Sequence, residues 1–318
     1  MNISLLEPLG ISEEEIKSLA EDFQKNGHTF TYYNTKTTDI EELKKRSQGQ
    51  DIIMIANNPY PDEVVHAADS LKLLAVAFTG IDHVGLDACR KKGVLVCNCA
   101  GYSNTCVAEQ VIGMTISALR FFAEGDHAVR SQGTNAGLMG SEICGKTVGI
   151  IGCGQIGFMT AKLFQAFGAK VIAYARHERA EVKAAGITYV DLPTLLSESD
   201  IVSLHTPNNV ETRGMIGKEE IARMKASAVF INCARGPIVD NSALADALNH
   251  GKIAGAAIDV YDMEPPIPED YPLLHAKNAL LTPHVAFLTR ESMQRRARIE
   301  FENVKAFLEN RPQNVCRI

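Results

Sequence analysis

"TVGIIGCGQIGFMTAKLFQAFGAKVIAY", residues 147–174, decides how the rest of the chain is read. An apolar run, Val148–Ile151, leads into Gly152-x-Gly154-x-x-Gly157. A helix-period stretch, Gln155–Phe167, follows, and Gly168 closes it ahead of a second apolar run. Three glycines at this spacing say little alone. Between a strand and a helix they have a mechanism: the first permits the tight turn, the second lets a pyrophosphate reach the backbone, and the third lets helix and strand pack closely. The helix N-terminus adds free N–H groups and the positive end of a dipole. Gly152, Gly154 and Gly157 therefore predict a dinucleotide loop.

Such a unit commonly places Asp or Glu about 20 residues further on, where it grips the ribose hydroxyls. Here the second strand runs into "ARHERAE" (175–181), with Ala175 in the acid's place and Arg176 after it. An arginine there can pair with a ribose 2′-phosphate, which favours NADP(H). Glu178 and Glu181 stand close enough in sequence to keep NAD(H) open.

The same strand–helix rhythm extends in both directions. Upstream, strands are predicted at 3–6, 28–33, 51–56, 71–78 and 94–98, with helices near 13–26, 40–46, 62–69 and 86–92. A longer helical pattern spans 104–125, and a loop richer in Gly and Ser covers 131–145. Downstream, "DIVSLHT", "SAVFINC", "IAGAAIDVY" and "NALLTPH" continue the alternation. Alternation of this kind implies parallel sheets covered on both faces. Residues 289–312 form one amphipathic helix with no sheet of their own to cover, so they are expected back against the first domain. The result is a split domain, 1–100 with 285–318, around an inserted domain, 101–284, with two crossings of a cleft where a small molecule would bind.

Composition narrows the function. With 46% hydrophobic and 22% charged residues the chain reads as globular. Its 32 basic residues are outnumbered by 38 acidic ones, for a net charge of -6, so no nucleic-acid or anionic-membrane partner is expected. "MNISLLEPLGISEEE" lacks the basic start and long apolar stretch of a signal peptide. The eight cysteines are scattered, several beside strands (Cys97, Cys153, Cys233), and have no zinc spacing. Reduced thiols, a cytoplasmic location and no metal are the expectation.

Three ionisable residues lie at or just past apolar runs: Arg235 after "VFINC", Glu264 after "GAAIDVYDM", His284 after "NALLTP". In a doubly wound sheet, strand ends on one side of the switch point face one crevice. Hydride transfer to a 2-keto acid needs a cation for the carboxylate, a proton donor for the ketone oxygen, and a partner for that donor. Arg235 supplies a guanidinium fork, His284 gives and takes a proton near neutral pH, and Glu264 supports and orients the imidazolium.

With those residues in place, the chain resembles the D-isomer-specific 2-hydroxyacid dehydrogenase family over nearly its whole length. "VGIIGCGQIG" (148–157) is similar to the family's nucleotide loop, and residues 224–266, "MKASAVFINCARGPIVDNSALADALNHGKIAGAAIDVYDMEPP", to its long signature. "NALLTPHVAF" (278–287) resembles the segment carrying the catalytic histidine, and 73–98 the substrate-domain loop.

The resemblance implies an α/β fold of two doubly wound parallel-sheet domains, a Rossmann nucleotide-binding domain inserted in a flavodoxin-like substrate domain. It implies an NAD(P)-dependent dehydrogenase with Arg235, Glu264 and His284 as the catalytic set. Gln155, Ile156, His205, Thr206, Pro207, Thr212, Cys233, Ala234 and Asp259 fall on cofactor-contact positions. Amides around Thr79, Gly80 and Ile81 would bind the substrate carboxylate, with Tyr102 and Phe287 near the substrate. Asn58 and Tyr60 are further residues that could line the cleft. A homodimer is implied, with helix 104–125 and the following loop as an arm. That loop, 127–147, lacks the tryptophans often found there, since the chain has none. Hydroxypyruvate or glyoxylate is the favoured substrate, ahead of pyruvate (D-lactate-like chemistry) or another anion. The competing reading is an NAD(H)-sensing binding protein of the same fold.

Overall fold

Short β-branched and apolar runs become buried strands because helices cover both faces of a parallel sheet. The computed structural model describes all 318 residues, and they divide into two units: Met1–Ser103 with Leu288–Ile318, and Asn104–Phe287.

In the first unit, β1 (Asn2–Leu5), β2 (Thr29–Tyr32), β3 (Ile52–Ile55), β4 (Leu73–Val76) and β5 (Leu95–Asn98) form one parallel sheet. Its order is β2-β1-β3-β4-β5, a doubly wound arrangement. β3 ("IIMI") and β4 ("LLAV") are buried at every residue, as central strands require. The helix Glu13–Lys25 starts at a capping box: Ser12 Oγ accepts from Glu15 N at 3.2 Å, and Ser12 N donates to Glu15 Oε2 at 3.0 Å. The C-terminal helix, Arg290–Leu308, belongs to this unit. It buries Met293, Ala297, Phe301 and Val304, a single face at helical spacing. Phe301 stacks on Phe23 with ring centres 5.5 Å apart, tying the last helix to the first.

The second unit carries β6 (Thr147–Ile151), β7 (Lys170–Tyr174), β8 (Thr188–Tyr189), β9 (Ile201–Leu204), β10 (Val229–Asn232), β11 (Gly255–Ile258) and β12 (Ala279–Leu281). All pair in parallel, in the order β12-β11-β10-β9-β6-β7-β8. The chain leaves β6 toward β7 on one side and returns beside it as β9 on the other. That reversal is the switch point, where a ligand crevice opens beyond the carboxyl ends of the strands.

Two features depart from the sequence reading. The two-residue edge strand β8 gave no signal of its own. The helix expected over 104–125 is two helices, Asn104–Arg120 and Phe122–Arg130, broken at Phe121 in the left-handed region (φ 55°). The cause is a competing hydrogen bond: Ser141 N donates to Leu119 O at 3.0 Å, which takes that carbonyl out of the helix ladder. Gly140 permits the approach, since a β-carbon there would sit 2.5 Å from Leu119 O. No single helix is long and apolar enough to cross a membrane.

Candidate active site

At the switch point the three glycines behave differently, and the difference is informative. Gly152 has φ 92°, and a β-carbon on it would lie 2.8 Å from the main chain of His205 and Thr206. Gly157 faces Gly152 O, which a β-carbon would meet at 2.1 Å. Both are demanded by the protein itself. Gly154, the N-cap of the helix Gln155–Ala166, has φ -74° and nothing within 4 Å on its bare side. Its lack of a side chain leaves room for a ligand at the helix N-terminus, as a pyrophosphate requires. Close by, Thr206 Oγ1 is buried with no hydrogen-bond partner. The loop therefore fits a dinucleotide.

The other residues expected around the cofactor each have a defined local setting. Gln155 is exposed beside Gly154. Ile156 and Cys233 pack together against Cys106, Val107 and Ala286. His205 hydrogen-bonds Ser203 Oγ through Nε2 at 2.8 Å, and burial pushes its pKa down to about 4, so it is a neutral spacer near pH 7. Pro207 and Thr212 close a turn on themselves, with Thr212 Oγ1 donating to Pro207 O at 2.5 Å. Burial raises the Cys233 thiol well above its usual range, which makes it packing rather than a nucleophile. Arg176 pairs with Glu211, both side chains about two-thirds exposed (68% and 65%). Glu178 and Glu181 are engaged by Lys183 and Arg179.

Arg235, Glu264 and His284 follow β10, β11 and β12, three neighbouring parallel strands, so the sheet delivers them at one edge. Arg235 stands on a braced turn. Fully buried Asn232 accepts from Ala234 N at 2.9 Å and donates to Arg235 O at 3.0 Å. Gly236 comes next because the chain presses on Tyr261, whose carbonyl oxygen a β-carbon would meet at 1.9 Å. Behind it, Asn241 donates to Asp262 at 3.0 Å and Tyr271 donates to the same carboxylate at 2.7 Å, fixing the segment that leads to Glu264.

His284 and Glu264 form a pair. Nδ1 of the ring lies 2.9 and 2.8 Å from the two carboxylate oxygens of Glu264. That geometry assigns the proton on Nδ1 to the carboxylate and leaves Nε2 as the nitrogen able to exchange a proton with a ligand. The Phe287 ring sits edge-on to the imidazole, centres 5.2 Å apart. His284 itself is in the left-handed region (φ 56°), a conformation that costs a non-glycine residue about 1–3 kcal/mol.

Asp259 holds it there. Read from sequence as a cofactor contact, its fully buried carboxylate is engaged within the chain. Oδ1 accepts from Thr282 Oγ1 at 2.5 Å and Val285 N at 2.9 Å, and Oδ2 from Ala286 N at 2.9 Å. Its main-chain oxygen accepts from His284 N at 2.9 Å.

In the first unit, the segment Thr79–Ile81 follows β4. Asn98 Nδ2 donates to Thr79 O at 2.8 Å, which turns a carbonyl of this segment toward the sheet end. Tyr102 is buried against Phe78, ring centres 5.9 Å apart. Tyr60, which could have lined a cleft, is core: it is fully buried and its hydroxyl donates to Ser47 Oγ at 2.9 Å. Asn58 is fully buried as well. The apolar context of "DIIMIANNPY" was the signal for burial at both.

Residues 112–286 match the family model described as D-isomer specific 2-hydroxyacid dehydrogenase, NAD binding domain. The chain is 35% identical over 298 residues to a hydroxypyruvate reductase of Blautia hydrogenotrophica, covering 91% of this chain and 92% of that one. It is 37% identical over 276 residues to a glyoxylate reductase of Thermofilum pendens, covering 84% and 81%. Among solved structures, D-lactate dehydrogenase from Aquifex aeolicus, complexed with NAD and lactic acid, superposes with a TM-score of 0.84 at 29% identity, covering 98% and 96%. The chain belongs to the D-isomer specific 2-hydroxyacid dehydrogenase family. It is an NAD(P)-dependent oxidoreductase of 2-hydroxy and 2-keto acids.

The Asp259 brace is testable. In Asp259→Asn, whichever way the amide turns, one of the two backbone N–H groups loses its acceptor. Urea unfolding should show a loss of roughly 1–3 kcal/mol, the cost of a buried unsatisfied donor, and turnover should fall as the 282–286 turn relaxes. Unchanged stability and turnover would show that Val285 and Ala286 do not depend on the carboxylate.

Proposed function

We propose that the protein reduces a small 2-keto acid, with hydroxypyruvate or glyoxylate the favoured substrate, and that Arg235, Glu264 and His284 carry the reaction. The observation that carries this reading is the Glu264–His284 pair, in which both carboxylate oxygens hold Nδ1 and Nε2 is left for the substrate. The nicotinamide ring, when bound, supplies the hydride in reduction and takes it in oxidation. The chain's own part is binding and proton transfer. Arg235 presents a planar fork to the substrate carboxylate, and the backbone N–H groups of Thr79, Gly80 and Ile81 are further donors for it. His284 delivers a proton to the ketone oxygen as it becomes a hydroxyl, and Glu264 keeps the ring in the orientation and tautomer that make this possible. Tyr102 and Phe287 are proposed to shape the substrate site, and Ala234 with the loop residues around Gly154 the cofactor site.

NADP(H) is the preferred cofactor in this reading. Arg176 follows β7 with no carboxylate at Ala175, and its exposed pair with Glu211 is screened by solvent and readily exchanged for a 2′-phosphate. A homodimer is the proposed assembly, supported by exposed Phe122, Val129 and Met139 on the second unit.

The deciding experiment is initial-rate oxidation of NADPH and NADH with hydroxypyruvate, glyoxylate, pyruvate and phenylpyruvate. Turnover should be fastest with hydroxypyruvate or glyoxylate and NADPH. A strong NADH preference would remove the role given to Arg176, and dinucleotide binding without turnover would shift weight to a sensor. His284→Ala should lose most turnover while its Kd for the cofactor is unchanged, and wild-type turnover would sink the assigned mechanism. Arg235→Ala should raise KM for the keto acid far more than KM for the cofactor.

A further inference from the structure

The interior of the first unit holds two carboxylates and a guanidinium almost out of reach of water: Glu7 (1% exposed), Arg296 (5%) and Glu300 (0%). None has a part in the site described above. Glu7 follows β1, and its Oε1 accepts from Ala56 N and Asn58 N, both at 2.8 Å, in the loop after β3. Arg296, on the C-terminal helix, donates through Nε and Nη2 to Leu9 O at 3.1 and 2.8 Å. Its guanidinium lies over the Phe78 ring, 5.5 Å from the centre. Glu300 is one turn further along the same helix and faces Arg296, Glu7, Cys99 and the main chain at Ile55.

These contacts fix both ends of one segment. Phe78, under Arg296, immediately precedes Thr79-Gly80-Ile81. At the other end, the His83 ring donates to Ala56 O at 3.0 Å, and Tyr60 N donates to His83 O at 2.9 Å, so His83 is tied to the loop that Glu7 pins.

We propose that Glu7 and Arg296 are positioning residues for substrate binding: by pinning the loops after β3 and β4 they set the backbone amides of Thr79, Gly80 and Ile81 for the substrate carboxylate. This rests on the reading of those amides given under Proposed function. Charge counting assigns the protons. One guanidinium balances one carboxylate, and an unbalanced buried ion is expensive. Glu7 takes the negative charge because two amides donate to it, with Lys36 and Arg296 adding to the pull against burial. Burial holds the Glu300 carboxyl well above the usual range, outweighing Arg296 and the Ile55 main chain, and Glu7 nearby adds to the rise, so Glu300 is neutral. Cys99 beside it stays a thiol for the same reason.

The experiment compares Glu7→Met, Arg296→Lys and Glu300→Gln with the wild type, using glyoxylate against methyl glyoxylate and pyruvate against methyl pyruvate. Glu7→Met, which removes the one oxygen that accepts both loop amides, and Arg296→Lys should raise KM for the acid about tenfold with kcat and cofactor Kd near wild type, the split expected for lost substrate positioning. Glu300→Gln should keep wild-type kinetics. Its stability carries a sign: above the ordinary carboxyl value of 4.5 the unfolded chain releases the Glu300 proton while the folded chain retains it. Stability tied to that proton is lost as pH rises, so Glu300→Gln should melt above the wild type at pH 7 and level with it near pH 4.

An unchanged acid KM in Arg296→Lys, or in a folded Glu7→Met that has merely lost thermal stability, overturns the positioning role. A Glu300→Gln that melts below the wild type at pH 7 overturns the neutral assignment. If the wild type itself turns over acid and ester alike, the carboxylate reading of Thr79–Ile81 falls, and the positioning role falls with it. If the wild type discriminates and the variants keep its acid KM, positioning alone is refuted.

Discussion

The sheet edge that carries Arg235, Glu264 and His284 hangs on one buried carboxylate. Asp259 directly follows β11, and from there it accepts hydrogen bonds from Thr282, Val285 and Ala286, while its own carbonyl accepts from His284 N. Without those bonds nothing regular would hold 282–286, since β12 ends at Leu281 and a single left-handed residue is intrinsically unfavourable. His284 tolerates φ 56° because its neighbours on both sides are tied to the same acid. The ring is then carried to a point where Glu264 closes on Nδ1. Placement of the imidazole is a property of Asp259, while its tautomer is a property of Glu264.

The legible part of this arrangement was the part in which residue type alone dictates geometry. Gly152 and Gly157 announce a strand-to-helix turn because no other residue fits at φ 92° or against a carbonyl oxygen. Arg235, Glu264 and His284 stood out as ionisable residues just beyond apolar runs, and parallel pairing puts such positions at one sheet edge. The braces were harder to see. Asn232 and Asp259 are each the polar residue at the end of a buried run, and nothing in the sequence marks them as braces. The bracing depends on backbone groups supplied from 2 to 27 residues away, and no periodicity encodes them. The break at Phe121 was hidden for a similar reason: local propensity continues the helix through "LRFFAEG", and it is Ser141, arriving from a distant loop, that takes the Leu119 carbonyl. For Tyr60 the sequence left both packing and a ligand wall open, and what decides for packing is a hydroxyl partner within the unit's own core.

Both units meet the same physical problem in the same way. Loops at the carboxyl ends of parallel strands carry N–H groups that no ladder satisfies, yet they must keep one shape to recognise a small ligand. In the first unit Glu7 answers two such amides, Ala56 and Asn58, and in the second Asp259 answers Val285 and Ala286. A carboxylate suits the task better than an amide side chain because it only accepts, has lone pairs enough for two or three donors, and forms the stronger, charge-assisted bond. Burial opposes this by raising the pKa of both acids. The amides oppose burial in turn at both acids, joined by the charges of Lys36 and Arg296 at Glu7 and by the Thr282 hydroxyl at Asp259. A proton on Asp259 would turn an acceptor into a donor aimed at an N–H or O–H, since both of its oxygens already accept. The defined shape of the 282–286 turn therefore depends on keeping a negative charge in a dry place, at the residue that fixes the position of His284.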